Sequence, residues 1–448
     1  MTDNAVLTTY NKDTKVKYIT SGTSGALNIE DSWGSLAKVL KQVLSVGFNP
    51  TVISSIDLDS VNNILQINFE SFQNYSPSSV VSISGVSVLL DGEYRILDYG
   101  PKFIKVASDP DKSYVQPFNL TPSSIVKVAP LGFEILHDNI ATTGKIMFKN
   151  KSVNSPGVLR VFDAKPANSG YLDTWSKFAR ITMGQNVVNI DKFLNDERAP
   201  FVSKYPDIEN TGDKSTTGTN SITGYAKWYY ALIETASPGE HQIPVSRIFP
   251  ISWRIIGDDK TFYLFIRNQG EYSWYTIYSF GNYQSNLKED TQNLILHAGF
   301  GTEIASWSDT SSYSSYRNKF TASNKYGACC IFKNSFRGLE NEFLGYHFGL
   351  DAGDTSATQR DYPSDSRFIS SVSGNTGAKI TSPVFIKDKN LEYRGQLRGV
   401  SQIYGQAYRS LDGQMMEGSK IILSAQRFYN SGQSEPHVPY LFSLKDWE

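Results

Sequence analysis

The sequence predicts a mainly β protein built from several β-sandwich or small β-barrel domains, with one amphipathic helix near the N-terminus. Three observations predict it. Short runs of alternating apolar and polar residues recur from Val81 onward, separated by Gly, Pro and Asp. Aromatic residues are abundant, with 26 Tyr and 25 Phe, and these side chains suit a pleated, half-buried surface. Helical spacing is clear in a single segment only, and strands without intervening helices indicate sandwiches or barrels. No fixed repeat period is visible, so a propeller or a β-helix is not expected.

The helix comes first. "DSWGSLAKVLKQVLSVGF" places Trp33, Leu36, Leu40, Val43 and Leu44 on one face and Lys38, Lys41 and Gln42 on the other. Asp31 or Ser32 is the expected N-cap and Gly47 the stop. Such a face usually packs on its own domain; docking to a partner is the other reading. Period two then takes over. "SISGVSVLL", "GEYRILDYG" and "PKFIKVAS" read as strands, with Asp91-Gly92 as a tight hairpin turn. A positive φ is expected at Gly92, where valine would destabilise the turn. These runs define a small β-domain over 51–135, after an arm and helix over 1–50.

A main sandwich domain is expected over 136–300. "GKIMFKN", "GVLRVFDA" and "FARITMGQNVVNI" supply strands, followed by a long polar insert at about 205–224 that is expected to be exposed. "ISWRIIGDDKTFYLFIR" is the strongest hairpin, with Gly257 to Lys260 as its loop. Its second strand carries Phe262, Leu264 and Ile266 on one face and Tyr263 and Phe265 on the other, so it should be buried on both. "YSWYTIYSF" and "NLILHAG" could extend that sheet, with a helix over Glu289–His297 as the alternative for the second. A C-terminal β-rich domain over 301–448 opens with the polar loop "SWSDTSSYSSYRN". "ACCIFKN", "SPVFIKD" and "KIILSAQRFY" follow as strands, with a turn at Leu411 to Gln414.

Composition removes several function classes. The 43 basic and 44 acidic residues leave a formal net charge of −1, which argues against a dedicated nucleic-acid binder. Lys12, Lys15 and Lys17 form a short basic run, read as solvated surface. No apolar run reaches the roughly 18 residues of a membrane span, and the N-terminus lacks the apolar core of a signal peptide. Both points suit a soluble chain made in a cytosol. The two cysteines, Cys329 and Cys330, are adjacent, so neither a disulfide framework nor a CxxC pattern exists.

The chain offers little chemistry. His137, His241, His297, His347 and His437 stand at no metal-binding spacing. GxSxG, the phosphate-loop motif and GxGxxG are missing. Asp57 and Asp59 share one face of an expected strand. Asp258 and Asp259 sit in a hairpin loop and read as turn chemistry. Glycosidases need two carboxyls across a cleft, a condition any β-protein with 44 acids meets somewhere, so neither pair is read as catalytic. "NTGDKSTTGTN" has oxygen ligands without the order of a calcium loop. No catalytic residue, cofactor or metal is therefore expected. Exposed aromatics could stack on sugars, a signal that does not separate a glycan surface from a packing interface.

The order of these segments resembles a family of tailed-bacteriophage virion structural proteins. The marks are the helix "SLAKVLKQVLSVGF", the β-domain "SISGVSVLLDGEYRIL…KFIKVA" with its "NGEYRV"-like turn, and "APLGFEI" leading to "FARITMGQ". "PISWRIIGDDKTFYLFI" is the closest match, followed by "YSFGNYQ". "YRGQLRGVSQIYGQAYRSLDGQ" is similar to the family's "RG.LPGL" segment, although Gln396 and Arg398 stand there and its proline is missing. Together they cover roughly 31–448. Within short-tailed phages of the schitovirus type, such proteins look like the non-contractile tail sheath. The resemblance implies a non-enzymatic homo-oligomer in the virion tail, made in the host bacterial cytoplasm and assembled on the tail tube and other tail proteins. Contact with a host surface receptor is left open by it. The other readings are a receptor- or glycan-binding tail protein and, less well supported, a polysaccharide depolymerase.

Overall fold

The computed structural model describes residues 13–75, 79–165, 177–185, 187, 189–191, 214–216, 220–222, 226–230, 250–267, 275–286, 293–297, 329–331, 345–348, 380–388, 393–404, 411–416, 419–426 and 437–447. It is mainly β and the sheets are antiparallel. The N-terminal arm supplies a strand, β1 (Lys17–Thr20), before the helix α1 (Ser35–Lys41). Lys17 is buried and paired with Glu93 at 2.9 Å, so it is not the solvated residue the sequence suggested.

α1 is shorter than expected and ends in a π-turn over Gln42–Val46, which Gly47 terminates with φ 74°. Leu36, Val39, Leu40, Val43 and Leu44 are all buried, which settles the apolar face as internal. Gln42 is half-buried on the other face and bonded there: its side-chain oxygen accepts from Leu27 N–H and its nitrogen donates to Gly25 O. Leu40→Ala should cost roughly 2–5 kcal/mol of stability, the range for emptying a packed leucine site, read by urea denaturation. A loss far below that would mean the face collapses or is only loosely packed.

A small closed β-barrel follows. Its strands are β2 (Phe48–Val52), β3 (Ser55–Asp59), β4 (Ile64–Asn68), β5 (Val80–Ser84), β6 (Gly92–Gly100), β7 (Phe103–Ala107) and β8 (Ile125–Val128), in the order β2-β8-β5-β6-β7-β4-β3. The two ends of that order are one stretch of chain. Between β2 and β3, Ile53 N–H donates to Ser124 O and Ser54 N–H to Asn68 O, each at 2.9 Å, so the sheet closes on itself. Closure leaves no edge to aggregate. Alternation does the rest: Leu65 and Ile67, Ile104 and Val106, Val81 and Ile83 all point inward and are buried.

The Asp91-Gly92 turn differs from the expectation. β5 ends at Ser84, and Gly85 to Asp91 form a loop, organised by the Asp91 carboxylate accepting from the N–H groups of Gly85, Val86 and Ser87 at 3.0–3.2 Å. Gly92 has the expected positive φ, 157°, a conformation that side chains rarely adopt, although an added Cβ there meets nothing nearer than Tyr94 Cε2 at 3.9 Å. Gly85 is the more crowded position: its φ is 74°, and a Cβ would lie 2.4 Å from Ser123 O. Gly85→Val should therefore cost roughly 2–5 kcal/mol from left-handed strain and overpacking. An unchanged melting temperature would refute this account of the loop.

Residues 134–229 contribute a five-stranded sheet. Its strands are β9 (Glu134–Asn139), β10 (Lys145–Lys149), β11 (Val158–Phe162), β12 (Phe178–Gly184) and, after a separate hairpin of β13 (Lys214–Thr216) with β14 (Asn220–Ile222), β15 (Ala226–Tyr229). A short helix α2 (Ile140–Thr143) lies between β9 and β10. The hairpin is what the structure describes of the polar insert; the loop at 306–318 lies outside the described residues.

The largest sheet begins with the predicted hairpin, β16 (Trp253–Gly257) and β17 (Thr261–Arg267), and continues with β18 (Tyr275–Asn282), β19 (Gln284–Ser285), β20 (Leu294–His297), β21 (Cys329–Ile331), β22 (Gly345–Phe348), β23 (Ile380–Asp388), β24 (Tyr393–Tyr404), β25 (Met415–Met416), β26 (Lys420–Gln426) and β27 (His437–Ser443). Its order is β1-β16-β17-β18-β20-β21-β22-β23-β24-β27-β26-β25, with β19 paired to β24. β20 is thus a strand and not the alternative helix. The sheet takes strands from the arm and from both sides of residue 300.

β17 is buried on both faces, as its sequence predicts. On one side Phe262 meets Phe133 and Trp228, with ring centroids 5.6 and 6.1 Å apart, in the core shared with the five-stranded sheet, α1 and the barrel. On the other, Tyr263 and Phe265 meet Phe442 at 5.2 and 5.7 Å in a second core lined by Leu397, Leu423 and Tyr440. The two ends of the large sheet face each other across that second core.

Candidate assembly surface

Of the residues singled out from the sequence, the structure describes the side chains of the two acidic pairs and of His137. Asp57 and Asp59 lie exposed on β3. Asn68 donates to Asp57 at 2.7 Å, and the Asn62 side chain and backbone hold the Asp59 carboxyl below its ordinary range. Asp258 closes the β16–β17 loop by accepting from Lys260 N–H and Thr261 N–H at 2.9 and 2.7 Å. Asp259 is half-buried beside it. His137 is half-buried on β9. His297, Cys329, Cys330, His347 and His437 lie on strands whose side chains there fall outside the described set, as does all of His241. Among the described residues, no three His, Cys, Asp or Glu side chains group as a metal site. No helix among them is long and apolar enough to cross a membrane.

Long-range polar clamps were not visible in the sequence. Arg398 on β24 pairs with the buried Asp258, Nη2 to Oδ2 at 2.9 Å, and also donates to Thr261 Oγ1 at 3.2 Å. Trp447 covers the pair, and the Tyr263 hydroxyl donates to Arg398 O at 2.8 Å. Arg95 on β6 is buried; it donates to Asp13 O and Val16 O at 2.8 Å and to Leu444 O at 3.2 Å, gathering both ends of the described chain onto the barrel. Arg254 meets Asp412 of the predicted 411–414 turn at 2.8 Å and lies over the Tyr275 ring. That turn is thereby tied to β16.

Asp163, just after β11, caps α1 from a distance. Its carboxylate accepts from Ala37 N–H at 3.1 Å and from the Tyr230 hydroxyl at 2.8 Å, and the N–H groups of Gly34 and Leu36 also face it. The expected local cap fails because Gly34 occupies the cap position with φ 86°, while Asp31 pairs with Lys177. At the other end, the π-turn carbonyls of Val43 and Leu44 accept from Leu131, Gly132 and Phe133. Burial pushes the Asp163 carboxyl up from 3.8 to about 6, against the hydrogen bonds that favour its charge. The folded state therefore binds this proton more tightly than the unfolded chain does. The resulting stabilisation is complete below about pH 4 and is lost as pH rises through about 6, on the order of 3 kcal/mol in all. Asp163→Asn should flatten this component of stability measured from pH 4 to 8. Equal pH slopes in the two proteins would refute the assignment.

The most exposed apolar side chains of the barrel gather at one end. The β3–β4 turn, the β5–β6 loop and the β7–β8 connection meet there. Ser108 N–H donates to Asn63 O at 2.8 Å, Lys112 Nζ to Leu89 O at 2.9 Å, and Ser124 Oγ to Gly85 O at 2.6 Å. Val88 is 95 % exposed, Val61 87 % and Val115 78 %, with Leu89 beside them. The loops are held by their own chemistry. Asp59 accepts from Val61 and Asn62 N–H groups at 3.0 Å, Asp91 fixes the β5–β6 loop, and the Tyr114 hydroxyl accepts from Asp109 N–H at 3.1 Å. Apolar side chains displayed on preordered loops form a contact surface that loses little entropy on binding. Alternation in "SISGVSVLL" drew Val86–Leu90 into a strand; the Asp and Gly residues around them were the available signal for a loop.

No protein-family model matches this chain, and no curated protein matches it either.

Proposed function

We propose that this chain is a structural subunit of a bacteriophage tail, most specifically the non-contractile tail sheath around the tail tube, that it assembles as a homo-oligomer, and that it performs no catalysis. The observation that carries the reading is the barrel end, where hydrogen-bonded loops hold Val61, Val88 and Val115 out to solvent. The resembling segments support it further, because they are the skeleton of the fold. "PISWRIIGDDKTFYLFI" forms the two-faced hairpin, "YRGQLRGV" carries Arg398, and "SISGVSVLLDGEYRIL" builds the displayed loop and Arg95. Mass spectrometry of gradient-purified particles, with a density map in which the chain is traced around the tube, tests the reading. Particles that lack the chain would end it.

A second reading, host-surface or glycan binding, is favoured by one observation. At the opposite end of the barrel, Phe72 and Tyr99 are both exposed on segments joined by Gln73 N–H to Pro101 O at 2.7 Å. Adherence of the isolated protein to host cells, lost in Phe72→Ala/Tyr99→Ala, would support it.

A further inference from the structure

We propose that the apolar loop end of the barrel docks head to tail on a second copy of this chain, at the surface formed by Lys149, Lys151, Lys260 and Val153. The inference rests on the reading of the chain as an assembling subunit and names the two surfaces that meet.

Charge selects the partner surface. The loop end carries Asp59, Asp91, Asp109 and Asp111 against Lys112. A symmetric contact between two such ends would set carboxylates against carboxylates within a Debye length of about 8 Å. The contact is therefore heterologous and needs an apolar group ringed by cations. One described surface has that form. Val153 is almost fully exposed on the β10–β11 connection, and Lys151 and Lys260 are brought together there: Lys151 N–H donates to Asp259 O at 2.9 Å, and Asn150 to Lys260 O at 3.0 Å. Lys149 ends β10 alongside them. Asp259 and Glu134 are the neighbouring acids, so lysines remain in excess.

Position makes the pair head to tail. β8 starts at the loop end, where Ser124 is bound to Gly85, and runs away from it to Val128. The chain continues to Gly132, where an added Cβ would lie 3.6 Å from Lys151 Nζ. The lysine surface thus lies beyond the far end of the barrel from the loops. One copy can offer its loops to the next while its own lysines receive the previous one. Repetition of a heterologous contact gives a closed ring or an open filament, either of which can surround a tube.

The test is sedimentation velocity on the purified full chain across concentration, with the wild type, Val88→Asp, Asp111→Lys, Lys151→Glu and the double variant Asp111→Lys/Lys151→Glu. Val88 is exposed, so Val88→Asp should keep the wild-type melting temperature. The wild type is expected to grow beyond a dimer. Val88→Asp and each charge reversal should weaken association by about tenfold or more, and the double reversal should recover most of that loss. A wild type that stays monomeric, one that stops at a dimer, an unaffected Val88→Asp, or a double variant no better than the singles would each overturn the proposal. Presence of the chain in purified particles is scored separately. A chain found there whose Val88→Asp variant assembles normally sinks this contact alone; a chain absent from particles whose association depends on Val88 sinks the tail reading alone.

Discussion

Arg398→Ala should destabilise the protein by roughly 3–5 kcal/mol, the usual cost of stranding one member of a buried ion pair. The Asp258 carboxylate would keep its loop N–H bonds but lose its cation in a site where both partners are nearly inaccessible. Trp447 would lose the guanidinium it covers, and the cavity adds a packing loss. Lysine should rescue only in part, because a point charge cannot reach Asp258 and Thr261 together as the planar fork does. The double variant Asp258→Leu/Arg398→Met should recover much of the loss, since an apolar replacement of a buried pair is often close to neutral. Urea denaturation of the four proteins reads this directly. A loss below about 1 kcal/mol for Arg398→Ala would show that water screens the pair.

Arg95→Met is the second large effect. The methionine fills much of the volume but leaves the carbonyls of Asp13, Val16 and Leu444 without this donor. Each buried acceptor so deprived costs about 1–3 kcal/mol, so a total above about 3 kcal/mol is expected. The location of the damage is more telling than its size. Amide hydrogen exchange should accelerate across Asp13–Thr20 and Leu444–Trp447 and much less inside the barrel, whose sheet is closed without Arg95. Uniform acceleration would mean that Arg95 holds up the barrel itself.

The parts of the fold legible in the sequence are those set by local periodicity. The two-faced burial of Phe262 to Ile266, the inward face of α1 and the alternation in β7 follow from side-chain spacing alone. What escaped is set by contacts across the chain. Asp163 caps a helix 126 residues before it, and Arg398 meets Asp258 across 140 residues. No local pattern marks either partner. Lys17 read as surface because nothing near it in sequence announces Glu93. The Asp91 loop departs from the tight turn that Asp-Gly signals because the Asp91 carboxylate bonds the N–H groups of the residues before it. The candidate surface has the same cause: Val61, Val88 and Val115 are isolated valines in three segments until the barrel closes and brings their loops to one end.

The placement of β17 has a thermal consequence. One strand lines two interiors, so neither can lose its order while the other keeps its wall. Heating should therefore give a single endotherm for the barrel side and the C-terminal side together, with calorimetric and van't Hoff enthalpies in agreement.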